Sequence, residues 1–259
     1  MNIAILLSGR TDLFEYAVHD NLTKLIQPLI QDGHVVHLHG SFWDTDDTKQ
    51  CIKKYNEYWK TVDVESFTEY SCGFIKDFNE FKQCTQIYDL EYSHAVQNTL
   101  YFLYKINRGY KIIKQYELTN NFKYDYYIRL RPDVCLDSEI DIDTIKTLND
   151  QSIMLYVDHV YLRDNEYVGY REGWVDDNFC IATRQPFELL CSVYDRAVEL
   201  SHKYQSVVSH ILLQKLFIEN QIQCIRPDPN LVMFKKQNNQ INRVVLFGHT
   251  HPDIYPTNL

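Results

Sequence analysis

The first forty-four residues constrain the fold more than any other part of the chain. Residues 2–8 read Asn-Ile-Ala-Ile-Leu-Leu-Ser, an unbroken apolar run that stops at Ser8-Gly9-Arg10. A strand covered on both faces has this pattern, whereas a strand with one wet face alternates. Residues 13–30 then place Phe14, Ala17, Val18, Leu22, Leu25, Ile26 and Leu29 at helical spacing, closing near Gly33. A second apolar strand, residues 34–38, runs on into Gly40-Ser41-Phe42-Trp43-Asp44. Strand, helix, strand in this order predicts a right-handed parallel unit whose ligand-facing loops lie at the carboxyl ends of the strands.

Downstream, residues 45–91 carry little periodicity: a helix, a short strand near residues 62–67 and a long loop region are expected. The strongest helical stripe follows over residues 92–118, through Ala95, Val96, Leu100, Leu103, Ile106, Tyr110, Ile113 and Glu117, with Gly109 as a candidate bend. Residues 124–134, Tyr-Asp-Tyr-Tyr-Ile-Arg-Leu-Arg-Pro-Asp-Val, read as a strand that ends at Pro132. Further strands are expected at residues 153–157, 160–163 and 178–183, then helices at 186–202 and 206–220. Short strands at 223–226 and 231–234 precede a polar tail. No repeat or linker divides the chain, and 259 residues suit a single α/β domain.

Composition excludes several classes. The net charge of −9 argues against a nucleic-acid backbone as the main partner, since phosphate binding needs a basic face, while leaving room for a nucleotide held by a few local cations. The seven cysteines are odd in number and form no Cys-x-x-Cys pair, the pattern of reduced thiols. The apolar run at residues 3–7 has no basic flank and is too short for a signal peptide or a membrane span. A cytoplasmic protein with no transmembrane segment is therefore expected. Neither a P-loop nor a zinc-peptidase motif occurs.

Charged chemistry concentrates at residues 124–134. Arg129, Arg131 and Asp133 alternate along the expected strand and share one face. Burying them is costly unless they meet a ligand, a metal or each other. Asp44, Asp46 and Asp47 read as a solvated turn, and Asp141 and Asp143 as a helix start, where Asp caps favourably.

The order of these elements, with the Ser8-Gly9-Arg10 turn, the run through residues 124–134 and Gly173-Trp174-Val175-Asp176-Asp177-Asn178-Phe179, resembles a group of GT-A glycosyltransferases. Members of that group occur in bacterial surface-polysaccharide clusters and in large DNA viruses. The resemblance spans residues 2–226. It implies a single Rossmann-like domain, with a nucleotide-binding half at about residues 1–135 and an acceptor half at about 136–259. It further implies transfer of a sugar from a UDP- or GDP-linked donor to a glycan or glycoprotein hydroxyl.

On that resemblance Ser8, Gly9 and Arg10 lie beside the nucleotide, with Arg10 facing the diphosphate. Most GT-A enzymes hold Mn²⁺ or Mg²⁺ on an Asp-x-Asp at the strand end matching residues 124–134. Here Arg131-Pro132-Asp133 stands instead, keeping only the last carboxylate. Either Asp133 binds the cation, or Arg129 and Arg131 supply the positive charge themselves. His249 and His251 in the tail are the further candidate metal ligands. Asp177 is the expected catalytic base of an inverting transfer, with Asp176 as the alternative. A non-catalytic nucleotide-sugar or glycan-binding module on the same fold is the rival reading.

Overall fold

The computed structural model describes residues 1–66, 80–81, 83–84, 95–158, 162–163, 166–167, 174–225, 227, 231–237 and 240–246. The chain opens with strand β1 (Asn2–Gly9), helix α1 (Phe14–Asn21), a π-helical turn (Leu22–Ile26) and helix α2 (Gln27–Gln31). Strand β2 (Val35–Trp43), helix α3 (Asp46–Lys54) and strand β3 (Trp59–Glu65) complete the first half of the sheet. The long helix α4 (Ala95–Asn120) leads to β4 (Tyr126–Leu130), β5 (Val134–Leu136), α5 (Ile142–Lys146) and β6 (Ser152–Asp158). After the small ribbon β7 (Leu162–Arg163) and β8 (Glu166–Tyr167) come β9 (Trp174–Ala182) and three helices, α6 (Arg184–Ser192), α7 (Ala197–Tyr204) and α8 (Ser209–Glu219). Strands β10 (Gln223–Ile225), β11 (Leu231–Gln237) and β12 (Gln240–Leu246) end the described chain.

Seven strands form the central sheet in the order β10-β6-β9-β4-β1-β2-β3. All neighbours pair parallel except β9, which runs antiparallel to both β4 and β6. Strand β1 lies between β2 and β4, and Ile3, Ala4, Ile5, Leu6 and Leu7 have no solvent exposure. Its side chains alternate between two cores. Ala4 and Leu6 join Leu103, Ile106, Tyr127 and Phe187, whereas Ile3, Ile5 and Leu7 join Phe14, Leu25, Ile128 and Phe179. Full burial of such side chains contributes roughly 1.5–3 kcal/mol each, which is why residues 3–7 include no polar member.

Several boundaries differ from the sequence reading for identifiable reasons. Pro28 has no N–H to give the carbonyl of Lys24 four residues back, and the Ile140 N–H takes that carbonyl instead at 3.2 Å. The expected helix over residues 13–30 therefore passes through a π turn. Helix α4 continues through Gly109 without interruption. Gly109 serves packing: a Cβ there would lie 2.4 Å from Leu6 Cδ1, so its absence lets α4 lie against β1. The single helix expected over 186–202 is two, α6 and α7, separated by tight turns at Val193, Arg196 and Ala197. The polar tail contains β12, which pairs antiparallel with β11 in a small sheet completed by β5.

A polar network ties α4 into this frame. Glu117 Oε1 accepts from the Tyr124 N–H at 2.9 Å, the Tyr127 hydroxyl at 2.8 Å and Arg184 Nη2 at 2.6 Å. Nearby, the Tyr124 hydroxyl lies 2.8 Å from both His37 Nδ1 and His39 Nε2, and His39 Nδ1 lies 2.7 Å from Thr61 Oγ1. Burial, with His37 and Lys60 adding to it, pushes the His39 imidazole down to about 3. Among the described residues, no helix is long and apolar enough to cross a membrane.

Candidate functional site at the strand ends

Three strands deliver chemistry to one end of the sheet. Leu7 pairs with Leu130 across β1 and β4, and Leu130 pairs with Phe179 across β4 and β9. Just beyond these pairs, the Arg131 N–H donates to the Asn178 carbonyl at 2.9 Å. The carboxyl ends of β1 and β4 thus meet the amino-terminal part of β9, whose backbone carries Asp176 and Asp177.

At the end of β1, Gly9 adopts φ +108°, a conformation that residues with a Cβ rarely take. A Cβ there would lie 3.4 Å from Arg131 Cγ and 3.8 Å from Arg129 Nη2, so both arginines converge on the glycine. Ser8 is buried, and its Oγ has no hydrogen-bond partner among the described residues. Arg129 is only 1% exposed; it donates to the Ser8 carbonyl at 3.4 Å and places its guanidinium 4.7 Å from the Phe102 ring centroid. Its charge therefore lies beneath Gly9, inside the core.

The strand expected to run from residue 124 to Pro132 stops at Leu130, and the arrangement of its charges changes with it. Strand β4 ends at Leu130, and Arg131 to Val134 make a turn closed by the Val134 N–H donating to the Arg131 carbonyl at 3.1 Å. Pro132, with its fixed φ and no N–H, occupies the second position of that turn and cannot extend a ladder. Val134 then starts β5 in the other sheet.

Asp133 is consequently not a third member of a strand face; it folds back onto Arg131. Arg131 Nε donates to Asp133 Oδ1 at 2.5 Å, Nη2 donates to Oδ2 at 2.8 Å, and Nη1 donates to Asn178 Oδ1 at 2.8 Å. The Asp133 side chain is 6% exposed and both its oxygens are in that pair. A divalent cation on Asp133 would have to share them with a guanidinium already in contact, setting like charges within a few ångströms. In this arrangement the residues do not fit a metal held by Asp133. Among the described residues, no group of three His, Cys, Asp or Glu side chains is placed to hold a metal ion. His249 and His251 lie outside the described residues.

Arg10 repeats the Arg131 geometry on a neighbouring strand end. Its Nε donates to Asp12 Oδ1 at 2.8 Å, and Nη2 donates to Asp12 Oδ2. The hydrogen bond that Arg10 donates to Asp12 raises the Arg10 pKa against a smaller effect of burial, and Asp133 adds to the rise. Burial pushes the Asp12 carboxyl up, but Arg10, with help from Arg131, holds it below its usual value. Asp12 and Asn178 received no role in the sequence reading. The signal for Asp12 was present: Arg10-Thr11-Asp12 has the same spacing as Arg131-Pro132-Asp133.

The other acidic candidates have local explanations. Thr45 caps α3 by accepting from the Thr48 N–H at 3.1 Å, leaving Asp46 and Asp47 in the first turn. Asp141 caps α5 by accepting from the Asp143 N–H at 3.0 Å. Beside the site, at the ends of β2 and β3, Lys105 has no exposure; its Nζ lies 2.7 Å from Glu65 Oε2 and 3.9 Å from the Trp43 ring centroid. Burial lowers the Lys105 pKa, and Glu65 opposes that shift.

No protein-family model and no curated protein sequence matches the chain. Solved structures do. Core-mannan synthase A from Aspergillus fumigatus, in its Mn/GDP form, superposes with a TM-score of 0.52 at 12% identity, covering 89% of this chain and 74% of that one. Mouse xyloside xylosyltransferase 1 in its apo form gives a TM-score of 0.42 at 8% identity, covering 87% and 85%. What this chain shares with core-mannan synthase A is the fold: a GT-A type domain built on one mostly parallel sheet with flanking helices.

Proposed function

We propose that the chain is a Leloir-type glycosyltransferase, moving a sugar from a UDP- or GDP-linked donor to a hydroxyl of a glycan or glycoprotein. One observation supports this most: the Ser8-Gly9-Arg10 turn, Arg131 and the amino-terminal part of β9 meet at one end of a GT-A sheet. Ligands of open α/β sheets bind at such strand ends. In this reading Gly9 lets backbone approach the donor, while Arg10 and Arg131 face the diphosphate. Arg129 contributes field from beneath.

Asp177 is assigned as the base of an inverting transfer, with Asp176 the alternative. The acceptor oxygen attacks the anomeric carbon from the face opposite the phosphate, and its proton passes to the carboxylate. The bond from the anomeric carbon to the diphosphate oxygen breaks, and the nucleoside diphosphate leaves with the electron pair. The neighbour solved with Mn and GDP motivates a divalent cation here as well. The paired state of Asp133 leaves no step to derive through one.

That same pairing, together with the loss of one carboxylate of the usual pair, favours a second reading as a non-catalytic nucleotide-sugar-binding module. Donor hydrolysis separates the two. A transferase incubated with its nucleotide sugar and no acceptor releases nucleoside diphosphate slowly, whereas a binding module is stabilised thermally by the same ligand and releases none.

A further inference from the structure

Arg10 and Arg131 stand at the ends of adjacent parallel strands, and each is gripped through Nε and Nη2 by the carboxylate two residues on. Such a fork fixes the plane of a guanidinium and leaves its remaining N–H groups aimed elsewhere. Among the described residues, Arg10 keeps three of its five N–H donors beyond the Asp12 pair. Arg131 keeps two beyond Asp133 and Asn178, again among the described residues.

With Arg129 buried beneath Gly9, the described side chains at the ends of β1 and β4 set three guanidiniums beside the carboxylates of Asp12 and Asp133. The Arg10 side chain is 71% exposed and that of Asp12 42%, and an ion pair so open to water adds little to stability. Holding the fork in place is a use that does not depend on that stability.

We propose that these two Arg-x-Asp units form a diphosphate cradle that works without a metal on Asp133. Arg10 and Arg131 carry the charge, and Asp12 and Asp133 are positioning residues. The inference rests on the nucleotide-sugar reading above and specifies how its diphosphate is met. It also reverses the role of Asp133, from cation ligand to support for a cation that the chain supplies itself.

The test is calorimetric titration of UDP, GDP and inorganic pyrophosphate into the full chain, once with a chelator and once with Mn²⁺. The expected result is binding of a nucleoside diphosphate in chelator, little changed by Mn²⁺, with pyrophosphate binding more weakly at the same place. Arg10→Gln and Arg131→Gln should each weaken it about tenfold or more, the loss expected for hydrogen bonds to a charged group. Asp12→Asn and Asp133→Asn should weaken it several-fold in chelator, with Asp133→Glu recovering part of the loss.

Thermal midpoints accompany each titration. Asp12 is exposed enough that its variant folds even if an Asp133 variant does not. The inference is overturned if the wild type binds only with Mn²⁺ and Asp133→Asn removes that dependence; the nucleotide-sugar reading then survives alone. It is also overturned if Asp12→Asn and Asp133→Asn, both folded, bind in chelator like the wild type. Failure of both nucleotides and pyrophosphate under either condition removes the inference and the reading together. Pyrophosphate binding as tightly as either nucleotide keeps the cradle and removes the nucleotide.

Discussion

Replacing Glu117 with Ala should unfold the chain far more easily than any surface change. The Glu117 side chain is 6% exposed, and its Oε1 accepts from three donors: the Tyr124 N–H, the Tyr127 hydroxyl and Arg184. Two of these donors are buried, and an unsatisfied buried donor costs about 1–3 kcal/mol. Burial, followed by the Glu117 hydrogen bond, raises the Tyr127 pKa, so the phenol remains a donor that needs this acceptor. Arg184 is 36% exposed, and water can replace part of what it loses, so its contribution is discounted to at most about 1 kcal/mol. The expected total is about 3–5 kcal/mol, a large fraction of the 5–15 kcal/mol typical of a domain. Urea denaturation at pH 7 measures it directly, with Arg184→Met alongside and an expected loss of about 1 kcal/mol. A Glu117→Ala loss below about 1 kcal/mol with an unchanged urea slope would refute the reasoning. The network sets the entry of β4, which carries Arg129 and leads into the turn that begins at Arg131, so its failure would also loosen the site.

Three further outcomes follow from the same geometry. Gly9→Ala places a Cβ at φ +108° and 3.4 Å from Arg131 Cγ. It should cost roughly 1–3 kcal/mol in denaturation and weaken nucleoside diphosphate binding; unchanged values for both would contradict the role given to Gly9. His39 is held neutral to about 3, against 6.5 when unfolded. The unfolded chain therefore binds more protons between those values, and stability falls as pH drops through that window. At pH 5 the loss relative to neutral pH is about 2 kcal/mol from this group. His39→Gln should flatten that part of the profile, and an identical slope in the variant would count against it. Asp177→Asn should slow transfer by roughly 10²–10⁴-fold with donor affinity little changed; if Asp176→Asn is the slow variant instead, the base moves by one residue.

Local pattern revealed the parts of this fold that local pattern builds. The run at residues 3–7 is apolar throughout because both of its faces are covered. The stripe on α4 likewise reports one buried face, and Glu117 belongs to that stripe, while its three donors come from elsewhere in the chain. What depends on distant pairing was hidden. Strand β12 carries Asn242 and Arg243 within a short apolar stretch and forms through its ladder with β11. The break at Arg131 was announced by Pro132, yet alternating charges suggested a continuing face, and only the turn shows Asp133 folded onto Arg131. That these charges meet each other was among the readings open in the sequence. Asn178 as the partner was not, because the antiparallel insertion of β9 beside β4 cannot be read from either segment alone.

Release of nucleoside diphosphate from a panel of nucleotide sugars, by the wild type and Arg131→Gln in the same run, tests the central claim most directly. The wild type should consume a nucleotide sugar, faster once a suitable acceptor hydroxyl is present, and Arg131→Gln should slow that turnover at least about tenfold while remaining folded. A wild type that binds a nucleotide sugar yet releases nothing with or without acceptors would contradict it and leave a binding module. Turnover unaffected by Arg131→Gln would place the reaction away from the ends of β1, β4 and β9.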